Sequence, residues 1–169
     1  MVNNSTFYHN RATSYGGGLY NSEIITLTNS TLFDNVAGIA GGGIWNYFGG
    51  TFTIRNTTIA SNSAGSRGGG ITNELFGELN LWGVIVAGSQ SGGDCYNETG
   101  IEGGIVYDHG YNIIEEGTCI AAASSMAVDP QLGLLQDNGG NTYTRALLEG
   151  SPAIDAIPPG ACTVTRDQR

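Results

Sequence analysis

One short pattern recurs along the chain and fixes most of what it can fold into. It reads Gly16-Gly17-Gly18-Leu19-Tyr20-Asn21, Gly41-Gly42-Gly43-Ile44-Trp45-Asn46 and Gly68-Gly69-Gly70-Ile71-Thr72-Asn73, with an altered copy at Gly92-Gly93-Asp94-Cys95-Tyr96-Asn97. Its apolar position falls at 19, 44, 71 and 95, so the steps are 25, 27 and 24 residues. A fixed period of this length marks a stack of identical units, each burying its apolar side against the next. A second motif runs in phase: Asn4-Ser5-Thr6-Phe7, Asn29-Ser30-Thr31-Leu32 and Asn56-Thr57-Thr58-Ile59, each followed by a further asparagine at 10, 35 and 62. A third column holds Ile25/Leu27, Phe52/Ile54 and Leu79/Leu81. Apolar and polar residues alternate within it, which is the period of a strand.

Short strands separated by Gly and Asn corners predict an all-β, right-handed, single-stranded parallel β-helix, with three strands in each coil of about 25 residues. Asparagine suits the corners because it tolerates the left-handed backbone region and bonds locally. Stacked asparagines at 21, 46, 73 and 97, and at 10, 35 and 62, are positioned to form amide ladders. Five coils are expected over residues 1–128. After Asp129-Pro130 the composition changes, and 129–169 reads as a C-terminal cap over the last coil, because an uncovered end exposes apolar interior and unpaired strand edge. The chain starts inside the repeat, at Val2-Asn3-Asn4-Ser5-Thr6-Phe7. That start predicts an uncapped first coil: either further coils precede it in a longer chain, or, as one partner class, other subunits dock there.

The three cysteines sit at 95, 119 and 162. Cys95 takes the inward place of Leu19, Ile44 and Ile71, and Cys119 follows one coil later. Stacked residues lie about 4.8 Å apart, within the range a disulfide spans. A Cys95–Cys119 bridge is expected, Cys162 is left over, and a disulfide points to an exported protein.

Composition narrows the partners. Charged residues make up 12%, lysine is absent and the net charge is −9, so no basic patch exists for nucleic acid. Polyanionic substrates are disfavoured by the same balance. No apolar run is long enough for a transmembrane helix.

Three function classes follow from the residues. An enzyme acting on polysaccharides, a lyase or hydrolase, needs clustered carboxylates with a base or a carboxylate pair at fixed spacing. The acids on the coils are scattered, Glu74 and Glu78 flank one corner as solvated charge, and Asp108-His109 reads as a corner with its side chains on opposite faces. No catalytic residue is assigned, and the reading leans away from an enzyme. The Asp137-Asn138-Gly139-Gly140-Asn141 loop is oxygen-rich, but it reads as a turn rather than a Ca²⁺ site, so no cofactor or metal is expected. A binding module is the second class. Tyr20, Trp45, Thr72 and Tyr96 follow the inward residue and so point outward one coil apart, with Trp82 outward on another strand. Tyr20, Trp45, Tyr96 and Trp82 are the candidate ligand or partner residues, for glycans or proteins of a cell surface. An ice-binding Thr-x-Thr array starts at Thr26-Leu27-Thr28 but breaks on the next coil. Assembly or adhesion is the third class, and it is the main expectation: an extracellular or cell-surface solenoid serving as adhesin, spacer or filament subunit.

Two resemblances support that placement. The GGG-[LI] pattern together with Phe7-Tyr8-His9-Asn10 resembles the GGAI and FxxN repeat of chlamydial polymorphic outer-membrane proteins. The tail residues Asp129-Pro130-Gln131-Leu132-Gly133, Asp137-Asn138-Gly139-Gly140, Ala146-Leu147-Leu148, Gly150-Ser151-Pro152-Ala153-Ile154-Asp155-Ala156 and Asp167-Gln168-Arg169 are similar to the C-terminal segment of secreted bacterial β-helix proteins of the choice-of-anchor type. Together they imply an exported or surface-attached bacterial β-helix and bring no catalytic residues with them.

Overall fold

The computed structural model describes residues 1–116, 119–162 and 164–168. The repeat folds into stacked parallel coils, about four turns of β-solenoid. Each apolar column of the sequence becomes one inward column of one sheet. The first sheet stacks Val2–Asn3, Ile24–Thr28, Thr51–Arg55, Glu78–Trp82 and Ile105–Asp108, all parallel. The second stacks Thr6–Tyr8, Thr31–Phe33, Thr58–Ala60, Ile85–Ala87 and Ile113–Ile114. The Gly-Gly-Gly motif leads into the fourth sheet, built from Leu19–Asn21, Ile44–Asn46, Ile71–Asn73 and Cys95–Asn97. Between the second and fourth lies a third sheet of two-residue strands, Arg11–Ala12, Val36–Ala37 and Ser63–Ala64. The coil therefore has four sides rather than three. The extra side is lined inside by alanines and was too short to show a strand period.

Leu27, Leu32, Ile44, Phe52, Ile54, Ile59, Ile71, Leu79 and Leu81 fill the interior and are fully buried. The corners turn through left-handed residues in register: Asn4, Asn29 and Asn56 at one corner, with φ of 47°, 46° and 46°, and His9, Asp34 and Ser61 at the next. Both asparagine ladders form. Asn21 Nδ2 donates to Asn46 Oδ1 at 2.8 Å, Asn46 to Asn73 at 2.7 Å and Asn73 to Asn97 at 2.7 Å. Asn10 donates to Asn35 at 2.8 Å, and Asn35 to Asn62 at 2.9 Å. A Cβ at Gly42 would meet the carbonyl oxygens of Gly69 and Ser63, so the glycine run is set by close approach between coils.

Cys95 pairs in register with Ile71 and is bridged to Cys119, with Cα atoms 5.9 Å apart. Cys162 is an exposed free thiol. Asp108 stands in register with Leu81, one step beyond the Leu27, Ile54, Leu81 column, where a core residue would be expected. Its carboxylate accepts from the backbone N–H groups of Gly110, Ala121 and Ala122 and from Ser125 Oγ and Asn112 Nδ2. This gathers the segment around 121–126 onto the last coil, where Met126 bridges Ile113.

Residues 129–162 and 164–168 continue as a strap. An antiparallel hairpin, Leu132–Gln136 with Thr144–Leu147, opens it, and its bonds run to the outside of the second sheet and to the first coils. Thr6 Oγ1 donates to Tyr143 O at 2.7 Å, Asn29 Nδ2 to Arg166 O at 2.8 Å and Thr31 Oγ1 to Gln168 Oε1 at 2.8 Å. Arg145 lies over the Phe33 ring at 5.3 Å and donates to Ser61 Oγ and to the Gly133 and Leu132 carbonyls. Burial holds this guanidinium below its ordinary pKa. These bonds run along the flank of the coils. The threonines of the second sheet offer hydroxyl partners there that an apolar end does not.

Candidate functional site

The outward column of the fourth sheet has the expected register: Tyr20 pairs with Trp45, Trp45 with Thr72 and Thr72 with Tyr96. Its exposure differs from the expectation. Tyr20 is 52% exposed and Tyr96 lies open, whereas Trp45 is 7% exposed and Thr72 is fully buried. Trp45 is covered by Tyr20 of its own column and by two rings from outside it. Tyr15 stacks on it at 3.9 Å and 19°, Tyr47 packs at 4.4 Å, and Tyr20 leans over it at 5.2 Å and 58°. Phe48 extends the group from Tyr47 at 6.0 Å and is 69% exposed, held at φ 50°. The result is one aromatic cluster across the first two coils.

A half-buried ion pair, with Glu74 inside and Arg67 reaching solvent, fixes the cluster from beneath. Trp45 Nε1 donates to Glu74 Oε2 at 3.0 Å, and the other Glu74 oxygen is held by Arg67. Glu74 is 4% exposed, which corrects its reading as a solvated corner charge: the carboxylate is desolvated because indole and guanidinium both bind it. The hydrogen bond that Arg67 donates to Glu74 raises the Arg67 pKa above its ordinary value. Arg67 also lies over the Tyr96 ring at 5.4 Å, so its charge is spent locally. The register relates these partners across coils. Tyr15, Ala40 and Arg67 occupy one position on successive coils, as do Tyr47 and Glu74 just after the ladder asparagine.

Trp82 does not join this group. It stands on the first sheet, stacked flat on His109 at 3.5 Å and 2°, with Arg55 over it at 4.3 Å. The faces of the indole are thus taken up by neighbours in its own column. His109 and Asp108 diverge as expected: Asp108 turns into its donors while His109 reaches Asn80 at 3.1 Å. A pair not expected from the sequence is His9 Nδ1 with Asp34 Oδ2, 2.7 Å apart at the second corner.

Other acids have structural partners. Asp94 accepts from the Ser89 and Glu116 N–H groups, Glu98 from Leu75 N–H and Glu115 from Gly88 N–H. Asp137 and Asn138 shape the strap turn through Gly139 N–H and the Thr144 carbonyl. Among the described residues no group of three His, Cys, Asp or Glu is placed to hold a metal ion, and no helix is long and apolar enough to cross a membrane. A cavity of about 330 Å³ lies between strap and second sheet, lined by Thr31, Thr57, Thr58, Thr144 and Arg145 among others. It is the seam where the strap meets the coils, and Arg145 already spends its donors on the strap and Ser61.

Comparison with known families adds one likeness. Residues 4–22 match the Chlamydia polymorphic membrane protein repeat. The matched stretch is one coil, and in it Phe7 and Leu19 pack against the core while Asn10 enters a ladder. No curated protein and no solved structure matches the chain.

Proposed function

We propose that this protein is a non-enzymatic, surface-associated β-solenoid of the exported, cell-surface kind, which acts as an adhesin or spacer and makes contact through the aromatic face of its fourth sheet. The observation that carries this reading is the Tyr15/Tyr20/Trp45/Tyr47/Phe48 cluster, exposed at its rim and anchored by Glu74 and Arg67. Exposed contiguous aromatics are characteristic of contact sites, and a rigid ring presents large area at small entropic cost. The likeness of residues 4–22 to a membrane-protein repeat supports a surface location. The disulfide supports an oxidising compartment. Glu74, Asp94 and Asp108 each tie segments of the coil together through fixed donors, a structural use of these carboxylates that supports the scaffold reading.

Three measurements on the intact chain test this. Beads coated with the protein are expected to be retained on films of surface polysaccharide or protein, with retention reduced by Tyr20→Ala. Incubation with polyuronates and Ca²⁺, or with neutral polysaccharides, is expected to release neither unsaturated products nor new reducing ends; chelator-sensitive release overturns the reading. A membrane-impermeant maleimide is expected to label Cys162 on intact producing cells, and labelling only after lysis removes the surface location.

A further inference from the structure

We propose that the aromatic cluster of the first two coils is a binding site for a neutral glycan; this rests on the contact face described above and names its ligand. Three observations select that chemistry. The first is amphipathic surface. Tyr15 and Tyr20 are exposed, and their hydroxyls make no hydrogen bond among the described residues, so each presents a ring beside an unused donor and acceptor. A pyranose has the matching character, with apolar C–H faces and hydroxyls around its rim. A purely apolar protein surface would leave those phenol groups unsatisfied.

The second is charge. Arg67, the cation of this face, is neutralised by Glu74 and lies against Tyr96. The corner residues nearby include Glu23 and Glu98, and the chain carries a net charge of −9. An acidic polysaccharide would meet net repulsion that the already paired Arg67 does not offset. A neutral one loses nothing.

The third is preorganisation. Trp45 is held by Glu74 beneath and by three tyrosines around it, so the platform needs no ordering when a ligand arrives. Trp45 is the positioning residue. Tyr20, tilted and half in solvent, and Phe48 at the corner supply the contact surface.

The test uses the full chain with a soluble β-glucan, xylan, galactan and mannan as neutral probes and polygalacturonate as the anionic one. Binding is read by retardation in native affinity gels. It is quantified by fluorescence in a Trp82→Phe background, where Trp45 is the remaining indole. At least one neutral polysaccharide is expected to bind. Tyr20→Ala is expected to weaken it at least about tenfold, and Tyr20→Phe by less, because it keeps the ring and loses only the hydroxyl. Urea midpoints of the variants matching the parent confirm that the coils are intact, and Tyr47→Ala supplies a second truncation if Tyr20→Ala shifts its midpoint. Binding of none of the neutral probes, binding of polygalacturonate as tight as theirs, or neutral binding indifferent to both truncations overturns the proposal. Bead adhesion that depends on Tyr20 without glycan binding would remove the glycan and leave the contact face standing. Cleavage of a bound glycan would do the reverse.

Discussion

Asn46 shows at the scale of one residue what the repeat is for. It is fully buried, accepts from Asn21, and donates to Asn73 and to the carbonyls of Gly50 and Glu78. Removing its amide strands several buried polar atoms at once, and each costs about 1–3 kcal/mol. Asn46→Ala is therefore expected to lower stability by about 2–4 kcal/mol in urea denaturation, whereas Asn10→Ala, at the exposed end of the other ladder, costs less than about 1 kcal/mol. Equal losses at the two sites would show that the ladders do not carry the stability assigned to them. These asparagines were legible in the sequence because they recur at a fixed step. The burial of Trp45 was not. It depends on Tyr15, which pairs with the small Ala40 and so has room to lie over the indole of the same coil. Nothing periodic announces a ring that fills space left by an alanine. Glu74 escaped for the same reason, since its partners Trp45 and Arg67 come from two other columns.

At the scale of elements, the inward columns were readable and the corners partly so. The third sheet was missed, because two-residue strands carry no alternation. The last turn depends on Asp108. Burial pushes this carboxyl up, but three backbone N–H groups and Ser125 outweigh that and hold its pKa below the ordinary carboxylate value. A folded-state pKa below the unfolded value of about 3.9 means that ionised Asp108 adds stability above that pH, and that the contribution is lost as pH falls through the lower, folded value. Asp108→Asn is expected to release the 121–126 segment at neutral pH. It is also expected to flatten the decline of the urea midpoint below about pH 4. Parallel decline in the two proteins would place the acid sensitivity elsewhere. The step of the Leu27, Ile54, Leu81 column points straight to 108, so the position was available from the sequence. Its role was not, because the donors lie in a segment outside the repeat.

For the molecule as a whole, the strap was the least legible part: its contacts obey no period, and its partners are hydroxyls on the outside of the second sheet. Gln168 carries much of the attachment. Its Nε2 donates to Ser5 O, Thr6 Oγ1 and Thr142 Oγ1, and its Oε1 accepts from Thr31. Gln168→Ala is expected to speed amide exchange at Asn4 and His9 by about tenfold while leaving Ile44 and Ile71 unchanged. Uniform exchange across the coils would count against a local role for the latch. A stack whose units touch only their neighbours behaves as a one-dimensional lattice, free to unzip from either end. Here the Gln168 side chain binds the Ser5 carbonyl 163 positions away. That contact joins the two ends into a loop, so that peeling back the first coil must also undo the strap. A repeat array that would otherwise melt coil by coil is thereby given a reason to melt in a single step.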